Sequence, residues 1–348
     1  MTEAGPCYIV TGGCGFIGSN LAATLQHRDP TCHVVVLDSL RSGTYATLVE
    51  SCRRIAGGPF SGEVIGESVA DFDWPSLFIE RRPAAVFHLG AITDTTVDDE
   101  ADMIRQNAGD TWRLLLETAA DAEVPLVYAS SAATYGTPPE VTRRIAFREG
   151  SAGVPNNVYG FSKWLMETAH RRLSSERVAA GEPEPWIVGL RYFNVFGPGE
   201  SGKGKMASMA YQLAQQVIAG ERPRLFKDGS QTRDQVPVED IVGITLAAAG
   251  LGSRPDPVPG VYNAGSGVPT TFEDVARAVR KGLGVADTDR PTEYFDMPEH
   301  IAAFYQSFTL ADMSEAKRGL GFEPIHPPSE AIASYAALLA EDSLTTES

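Results

Sequence analysis

The stretch Cys7-Tyr-Ile-Val-Thr-Gly-Gly-Cys-Gly-Phe-Ile-Gly18 decides the fold of this chain. It opens with a short, mostly apolar run that predicts a buried strand, and a helix from Phe16 to about His27 follows at once. Three glycines recur in it at spacings of three residues: Gly12, Gly15 and Gly18. The first permits a tight turn, the second lets the backbone approach a pyrophosphate, and the third lets the helix pack closely on the strand. The first helical amides, near Phe16 and Ile17, then face the phosphates of a dinucleotide.

The next predicted strand, residues 32–37, ends at Asp38. This carboxylate follows Gly18 at the distance that suits a group binding the hydroxyls of an adenosine ribose. It favours NAD, because a carboxylate repels the 2′-phosphate of NADP. Arg41 keeps NADP possible, with Ser39 beside it, unless this arginine is simply a solvated loop cation.

Alternating strands and helices continue beyond this point. Residues 63–66, 83–91 and 126–129 read as strands, and a helix is predicted from about 101 to 120. The pattern predicts an α/β fold with a Rossmann-type, doubly wound parallel sheet. His88 reads as a packed strand residue and not as a ligand or base. The further residues expected at the cofactor are Ser68, Val69, Leu89, Gly90, Ala91 and Asn107.

A candidate catalytic set follows the predicted strand 126–129. Ser131 lies at its carboxyl end, where open α/β sheets bind ligands. In Asn157-Val-Tyr-Gly-Phe-Ser-Lys163 the helical spacing brings Tyr159 and Lys163 to one face. A hydroxyl that orients an alcohol, a phenolate that takes its proton and an ammonium that lowers the phenol's pKa are the groups an alcohol oxidation needs. The alternatives are a polar loop and an ordinary surface helix.

The bulk composition excludes several classes of function. Lys and Arg number 29 against 45 Asp and Glu, a net charge of −16 that argues against nucleic-acid or anionic-membrane partners. The four cysteines, all within the first 52 residues, show no metal-ligand spacing, so no metal site is expected. No signal-peptide pattern or membrane-spanning run is visible. A reduced, cytoplasmic protein is the simplest interpretation.

Taken together, residues from about 7 to 325 resemble the extended short-chain dehydrogenase/reductase superfamily. Within it, the chain is most similar to the ADP-L-glycero-D-manno-heptose 6-epimerase family. Three of the matching stretches are widespread among nucleotide-sugar enzymes: Tyr128-Ala-Ser-Ser-Ala-Ala-Thr-Tyr-Gly136, Asn157-Val-Tyr-Gly-Phe-Ser-Lys163 and Arg191-Tyr-Phe-Asn-Val-Phe-Gly-Pro198. Two others are discriminating: Lys203-Gly-Lys-Met-Ala-Ser208 and Phe304-Tyr-Gln-Ser-Phe-Thr-Leu-Ala-Asp312.

The resemblance implies a nucleotide-sugar epimerase with tightly held NADP. Such an enzyme oxidises C6 of an ADP-heptose to a ketone and reduces it from the other face, which requires two acid/base groups. Tyr159 serves one face, and the resemblance puts Lys203 on the other. From chemistry alone Lys203 is equally a phosphate-binding lysine, and Lys205 competes for either task.

The resemblance also implies where the nucleotide sugar binds. Its expected contacts are Ser131, Asn194, Lys203, Ser208, Phe226, Arg233 and Tyr305. Arg233 is a diphosphate clamp in this interpretation and a structural ion-pair partner of Asp234 or Glu239 in the alternative; Asn194 is otherwise a capping or turn residue. The predicted cofactor domain covers residues 1–195 and about 234–265, the substrate domain about 196–233 and 266–330, and a C-terminal helix and tail 331–348.

Three positions differ from the family. Gln235 begins a Gln-Val-Pro run where the family tends to carry aromatics, and Gln212 replaces a common histidine. Tyr45 stands where a lysine tends to approach the NADP phosphate, which leaves NAD possible or the phosphate to Arg41.

Two other functions remain open at this stage. A UDP-hexose 4-epimerase shares everything up to Pro198 but does not need Lys203 as a second base. A non-catalytic NAD(P)-sensing module is disfavoured by the intact catalytic set. A 4,6-dehydratase is disfavoured because residues 132–134 supply no carboxylate. The resemblance further implies a homo-oligomer.

Overall fold

The computed structural model describes residues 5–94, 99–296 and 306–346. Its strands, numbered along the chain, are β1 Cys7–Thr11, β2 His33–Leu37, β3 Glu63–Ile65, β4 Ala85–His88, β5 Leu126–Ser131, β6 Ile187–Tyr192, β7 Asn194–Phe196, β8 Arg224–Phe226, β9 Thr232–Pro237, β10 Gly260–Ala264, β11 Pro269–Thr271 and β12 Glu293–Phe295. Its α-helices are α1 Phe16–Arg28, α2 Tyr45–Ala56, α3 Trp74–Arg81, α4 Glu100–Ala108, α5 Asp110–Asp121, α6 Pro139–Arg143, α7 Val158–Ala179, α8 Met209–Ile218, α9 Val238–Ala248, α10 Phe272–Gly282, α11 Ser314–Leu320 and α12 Pro328–Thr346.

The largest sheet has seven strands in the order β10-β6-β5-β4-β1-β2-β3, and every neighbouring pair is parallel. The chain first builds outward from β1 to β3 and then returns to β4 on the other side of β1. This is the doubly wound sheet that the sequence predicts. The reversal places the carboxyl ends of β1 and β4 side by side, and ligands bind at such a crevice in open α/β sheets.

Both faces of the large sheet are buried, which explains why its strands read as continuous apolar runs. One core contains Val10, Leu21 and Ile241, from β1, α1 and α9. The core on the opposite face contains Trp74 and Trp112, from α3 and α5. The helices on each side therefore hold the strand ends in fixed positions around the crevice.

Two smaller sheets lie in the second half of the chain. One has the order β11-β9-β7, with β7 parallel to β9 and β11 antiparallel to it; the other pairs β12 with β8. A third core joins α8, α10 and α12 through residues such as Leu213, Val275 and Ile332. One residue separates β6 of the large sheet from β7 of the small one, so elements of the two sheets alternate along the chain. The predicted domain limits remain a prediction.

One prediction about a helix was wrong. The single helix expected from 101 to 120 is divided into α4 and α5 at Gly109, whose backbone is extended (φ −71°, ψ −168°). A side chain at Gly109 would place its Cβ 2.5 Å from the carbonyl oxygen of Arg105, so this close approach requires glycine. The C-terminal helix α12 continues to Thr346, where the described residues end.

No helix in the described ranges is long and apolar enough to cross a membrane. The four cysteines carry free thiols, and burial raises the pKa of each, to about 12 for Cys14.

Candidate active site

The glycine turn between β1 and α1 is shaped to receive a phosphate group. Gly12 has a φ of +66°, a conformation that favours glycine, and a Cβ on Gly18 would lie only 2.1 Å from the Gly12 carbonyl oxygen. Gly15 is the N-cap residue of α1 and has no side-chain oxygen to bond the first helical amides. These amides, beginning near Phe16, therefore face the turn as an anion site.

The carboxylate of Asp38 is fixed beside this turn. One of its oxygens accepts a hydrogen bond from the Cys14 amide at 2.9 Å, and the other accepts one from the Leu40 amide at 2.8 Å. Each carboxylate oxygen keeps further acceptor capacity for a ribose hydroxyl. Arg41, although exposed, forms an ion pair with Asp102 of α4 at 3.1 Å, while Ser39 is exposed.

The opposite wall of the crevice follows β4. The Gly90 amide donates to the Thr11 hydroxyl at 2.8 Å, and this hydroxyl also bonds His88 Nδ1 at 3.1 Å. Leu89 and Ala91 flank Gly90 and are partly buried. Burial lowers the pKa of His88 to about 3, so this histidine is a neutral, packed residue at ordinary pH. The sequence did not single out Thr11, whose hydroxyl connects the two central strand ends.

Asn107 connects the crevice to the helix with the candidate catalytic residues. Its buried carboxamide exchanges hydrogen bonds with the backbone of Ile92 and donates to the Ser162 hydroxyl at 3.0 Å. Ser68 caps the short 3-10 helix Val69–Asp71 through the Ala70 amide. The glycine turn, Asp38, Gly90 and Ser68 thus follow the carboxyl ends of β1, β2, β4 and β3, at one edge of the sheet.

Ser131, Tyr159 and Lys163 come together at this crevice. Ser131 is the last residue of β5, and its hydroxyl is hydrogen-bonded to the Tyr159 hydroxyl. The amine of Lys163 donates to the Ala129 carbonyl at 2.8 Å and lies 6.0 Å from the centre of the Tyr159 ring. Asn157 caps α7 by accepting the Gly160 amide at 2.7 Å, which fixes the helix end that carries this pair.

Burial dominates the electrostatics of this pair. It raises the pKa of Tyr159 above its usual value, and the hydrogen bond with Ser131 opposes it. It also lowers the pKa of Lys163 to about 7. The chain alone therefore does not lower the phenol's pKa in the way the sequence predicts, because desolvation penalises both the phenolate and the ammonium.

A buried charge network lies under α7. The Glu167 carboxylate bonds the Arg191 guanidinium through both of its oxygens, at 2.8 and 2.7 Å, and accepts from Ser130 at 2.6 Å. Both members of the ion pair are fully buried. The network joins α7 to the ends of β5 and β6. No sequence pattern singles out Glu167, which follows Lys163 by one helical turn.

A cavity of about 240 Å³ lies beside β7. Residues lining it include Phe193, Asn194, Lys203, Ser208, Gln235 and Phe272. Three predicted substrate residues, Asn194, Lys203 and Ser208, are thus brought together, and Asn194 begins β7 and is not a cap. Lys205 is not among the described residues that line this cavity.

Lys203 lies between this cavity and the glycine turn. The residue is exposed, yet its amine lies 5.4 Å from the centre of the Phe16 ring, at the start of α1. Desolvation lowers the pKa of Lys203, and the nearby Glu200 carboxylate opposes that shift. The amine is therefore closer to its neutral, proton-accepting form than an ordinary lysine.

Glu200 was not anticipated from the sequence. It is fully buried and accepts hydrogen bonds from the Gly197 amide at 3.1 Å and from the Ser208 amide at 2.6 Å and hydroxyl at 2.8 Å. Ser208 also caps α8 by accepting the Tyr211 amide at 3.1 Å. This arrangement fixes both ends of the segment that carries Lys203.

Two further predicted contacts, Arg233 and Phe226, are not among the described residues that line the cavity. Arg233 donates to the Thr232 carbonyl at 3.0 Å, and its guanidinium lies 5.6 Å from the ring centre of Phe272, which lines the cavity. Asp234 accepts backbone amides at Ser266, Gly267 and Ala311. The Phe226 ring packs against Phe295. The predicted contact Tyr305 lies outside the described residues.

A larger cavity of about 510 Å³ lies by the first residue of β10, at the amino end of that strand. Arg148, Glu149, Tyr262 and Glu315 are among its lining residues. Among the described residues, none of the predicted site residues lines it. The predicted catalytic residues lie instead at the smaller cavity, which Lys203 lines, and at the crevice.

Comparison with known proteins identifies the family. The model of the NAD dependent epimerase/dehydratase family matches residues 8–265. The chain belongs to this family. The crevice fits the nicotinamide dinucleotide that such enzymes require, since the glycine turn is closed to larger side chains and Asp38 is fixed beside it.

Named relatives show which members of this epimerase/dehydratase family the chain is similar to. An ADP-L-glycero-D-manno-heptose-6-epimerase of Alkalilimnicola ehrlichii is 38% identical over 320 residues, which are 89% of this chain and 90% of the relative. The crystal structure of the Helicobacter pylori enzyme of the same name is 30% identical, with a TM-score of 0.78 over 95% of each chain. A UDP-glucose 4-epimerase of Thermotoga maritima, solved with UDP-glucose, is 25% identical with a TM-score of 0.76 over 98% of this chain and 100% of its own. The protein is therefore an isomerase, a nucleotide-sugar epimerase that uses a nicotinamide cofactor.

Proposed function

We propose that this epimerase inverts C6 of an ADP-activated heptose, converting ADP-D-glycero-D-manno-heptose into ADP-L-glycero-D-manno-heptose with NADP as its retained cofactor. Two named relatives of that activity, at 38% and 30% identity, support the substrate. The position of Lys203 supports the mechanism most directly, because the residue lines the cavity and its amine approaches the start of α1.

On one face of the sugar, Tyr159 takes the proton of the C6 hydroxyl during oxidation, and the Ser131 hydroxyl orients that oxygen. The bound nicotinamide dinucleotide supplies reversible acceptance of the hydride that leaves C6. Lys163 holds the catalytic helix against β5 through the Ala129 carbonyl. The first half of the reaction then leaves a ketone at C6.

Inversion requires a proton donor on the opposite face once the ketone has turned over. Lys203 takes this role in the proposal because its lowered pKa lets the amine alternate between neutral and protonated forms. Asn194 and Arg233 bind the nucleotide sugar in the same scheme, together with Ser208, Phe226 and Tyr305. Lys205 does not line the cavity, so we assign it no catalytic role.

NADP is proposed over NAD on the family resemblance and on Arg41. This guanidinium follows Asp38 closely in the chain, and its ion pair with Asp102 is exposed and exchangeable. The nucleotide released on denaturation, identified by mass spectrometry, should be NADP. Recovery of NAD alone would contradict this assignment.

We further propose the domain division stated above, in which residues 1–195 and about 234–265 bind the cofactor. Residues about 196–233 and 266–330 then bind the sugar nucleotide, and the C-terminal segment follows from 331. On the same sequence grounds the enzyme is proposed to be a cytoplasmic homo-oligomer.

The test is a substrate panel followed by NMR. ADP-D-glycero-D-manno-heptose, UDP-glucose and a GDP-hexose are incubated with the purified enzyme, and the configurations at C6 and C4 are recorded. Inversion at C6 of the ADP-heptose alone is the expected result. Inversion at C4 of UDP-glucose would instead support the 4-epimerase, which the similarity to the Thermotoga maritima enzyme keeps as the second candidate.

A further inference from the structure

Gln235 carries a buried carboxamide oxygen that lacks a hydrogen-bond partner. The residue is 1% exposed, in the middle of β9. Within the described parts of the chain, the buried side-chain atoms without a partner are Trp74 Nε1, Arg81 Nε, Ser174 Oγ, Gln231 Oε1 and Gln235 Oε1. Of these residues, Gln235 is the one that lines the 240 Å³ cavity. Buried polar atoms are normally bonded, so this oxygen requires an explanation.

The strand register directs Gln235 toward the proposed substrate. β7 and β9 are parallel, and Asn194 is the direct partner of Gln235. Directly paired residues on neighbouring strands project from the same face of a sheet, so the two carboxamides lie next to each other. Both line the cavity together with Lys203. The terminal torsion of a glutamine is broad, so a small rotation turns the oxygen toward a ligand in the cavity.

The chemistry of the atom restricts its partner. A carboxamide oxygen is an acceptor, so a phosphate or carboxylate oxygen would repel it, while a hydroxyl donates to it. We propose that Gln235 is a specificity-determining residue that accepts a hydrogen bond from a sugar hydroxyl of the substrate. The inference rests on the proposed function, since it presumes a nucleotide sugar in this cavity. The hydroxyl belongs to either the sugar that is epimerised or the ribose of the nucleotide.

In this proposal, Gln235 lowers the stability of the ligand-free enzyme and raises its affinity for the substrate. Without substrate the orphaned oxygen destabilises the fold, and replacing such an oxygen by an apolar group of similar shape is neutral or stabilising. With substrate the oxygen is satisfied, and its removal weakens binding. Gln235→Met keeps the length of the side chain but removes the acceptor. We expect it to weaken nucleotide-sugar binding about 10-fold while leaving the ligand-free melting temperature unchanged or higher.

The experiment compares wild type, Gln235→Met and a control, Gln231→Met, as full-length enzymes with their cofactor. Gln231 has the same kind of orphaned buried oxygen but does not line the cavity. Binding of ADP-heptose and of UDP-glucose is measured by calorimetry, and ligand-free melting by scanning calorimetry. Weaker binding confined to Gln235→Met supports the inference. Unchanged binding in Gln235→Met, a lower melting temperature, or an equal loss in Gln231→Met overturns it.

Deoxy analogues then identify the hydroxyl. An analogue that lacks the relevant hydroxyl should bind wild type and Gln235→Met equally, because the hydrogen bond is absent from both complexes. A 2′-deoxyribose analogue tests the nucleotide, and analogues deoxygenated on the glycosyl ring test the sugar. If the wild type binds and turns over only UDP-hexoses, the heptose proposal fails while the Gln235 comparison is still decided on the sugar that binds. If it binds no nucleotide sugar, both are overturned.

Discussion

Burial shifts the pKa of each residue of the catalytic pair, Tyr159 and Lys163. The Lys163 amine is buried, and its pKa is lowered to about 7 from an ordinary value near 10.5. Between these pH values the unfolded chain binds more protons than the folded one, so this residue makes the fold more stable as the pH rises. Below about pH 7 the folded protein bears the full penalty of burying the ammonium.

Lys163→Met should therefore change the pH dependence of folding. The stability of the variant relative to wild type is expected to be greatest near pH 6 and to decrease toward pH 9, because the wild-type amine loses its charge. Urea unfolding of both proteins across that range measures the difference in their free energies of unfolding. Both proteins contain the same cysteines, so the titration of these thiols cancels in that difference. A difference independent of pH would contradict the lowered pKa of Lys163.

The sequence predicts the positions of side chains that follow a recognisable strand end or spacing, while the roles of these residues stay predictions. Ser131, Tyr159 and Lys163 meet as expected, and Asn194, Lys203 and Ser208 line one cavity. Thr11 and Glu167 were missed because their partners, Gly90 and Arg191, are distant in the chain. Glu200 was missed because its burial becomes evident only in the folded chain. No local pattern in the sequence indicates such contacts.

At the scale of elements, the turn from β1 into α1 depends on Gly18. In Gly18→Ala the new methyl group would lie 2.1 Å from the Gly12 carbonyl oxygen, so the turn must move. We expect a loss of about 1–3 kcal/mol in the free energy of unfolding, with little nucleotide retained through purification. Urea unfolding and the nucleotide content of the purified protein measure the two effects.

The matched control is Gly58→Ala, in a loop where a Cβ meets no atom within 4 Å. This variant should retain wild-type nucleotide content. Wild-type nucleotide content in Gly18→Ala as well would contradict the close packing assigned to the turn.

Helix boundaries were harder to predict than helix existence. The run from 101 to 120 has the composition of one helix, and an isolated glycine is tolerated inside such a pattern. The break at Gly109 results from the close approach of the Arg105 carbonyl and from the separate packing of α4 and α5. Packing of this kind is decided by the neighbouring elements, α7 and the sheet, which the local sequence does not describe.

At the scale of the whole molecule, the C-terminal helix supports the segment that carries Lys203. The Tyr335 hydroxyl of α12 lies near the Glu200 carboxylate, which adds to burial in raising the pKa of Tyr335 and also holds Gly197 and Ser208. The last helix of the chain is thus connected to the proposed second base, although more than a hundred residues separate them.

Tyr335→Phe should reveal this connection. Loss of the hydroxyl leaves Glu200 without this polar neighbour, and we expect about 1–3 kcal/mol less stability and slower epimerisation with normal nucleotide content. The control is Tyr294→Phe, which removes an exposed bond to Glu273 at 3.0 Å that water can replace. Urea unfolding and the rate of C6 inversion measure both variants. Equal effects of the two substitutions would contradict the supporting role of α12.

The central claim is that two residues on opposite faces of the sugar perform one inversion. The most direct measurement is the NMR rate of C6 inversion of ADP-D-glycero-D-manno-heptose by wild type, Lys203→Met and the matched variant Lys205→Met. Each variant is first shown to retain its nucleotide. The two-base account predicts a loss of about 100-fold or more in Lys203→Met and near-normal inversion in Lys205→Met. Full activity in Lys203→Met, or a loss confined to Lys205→Met, would contradict it.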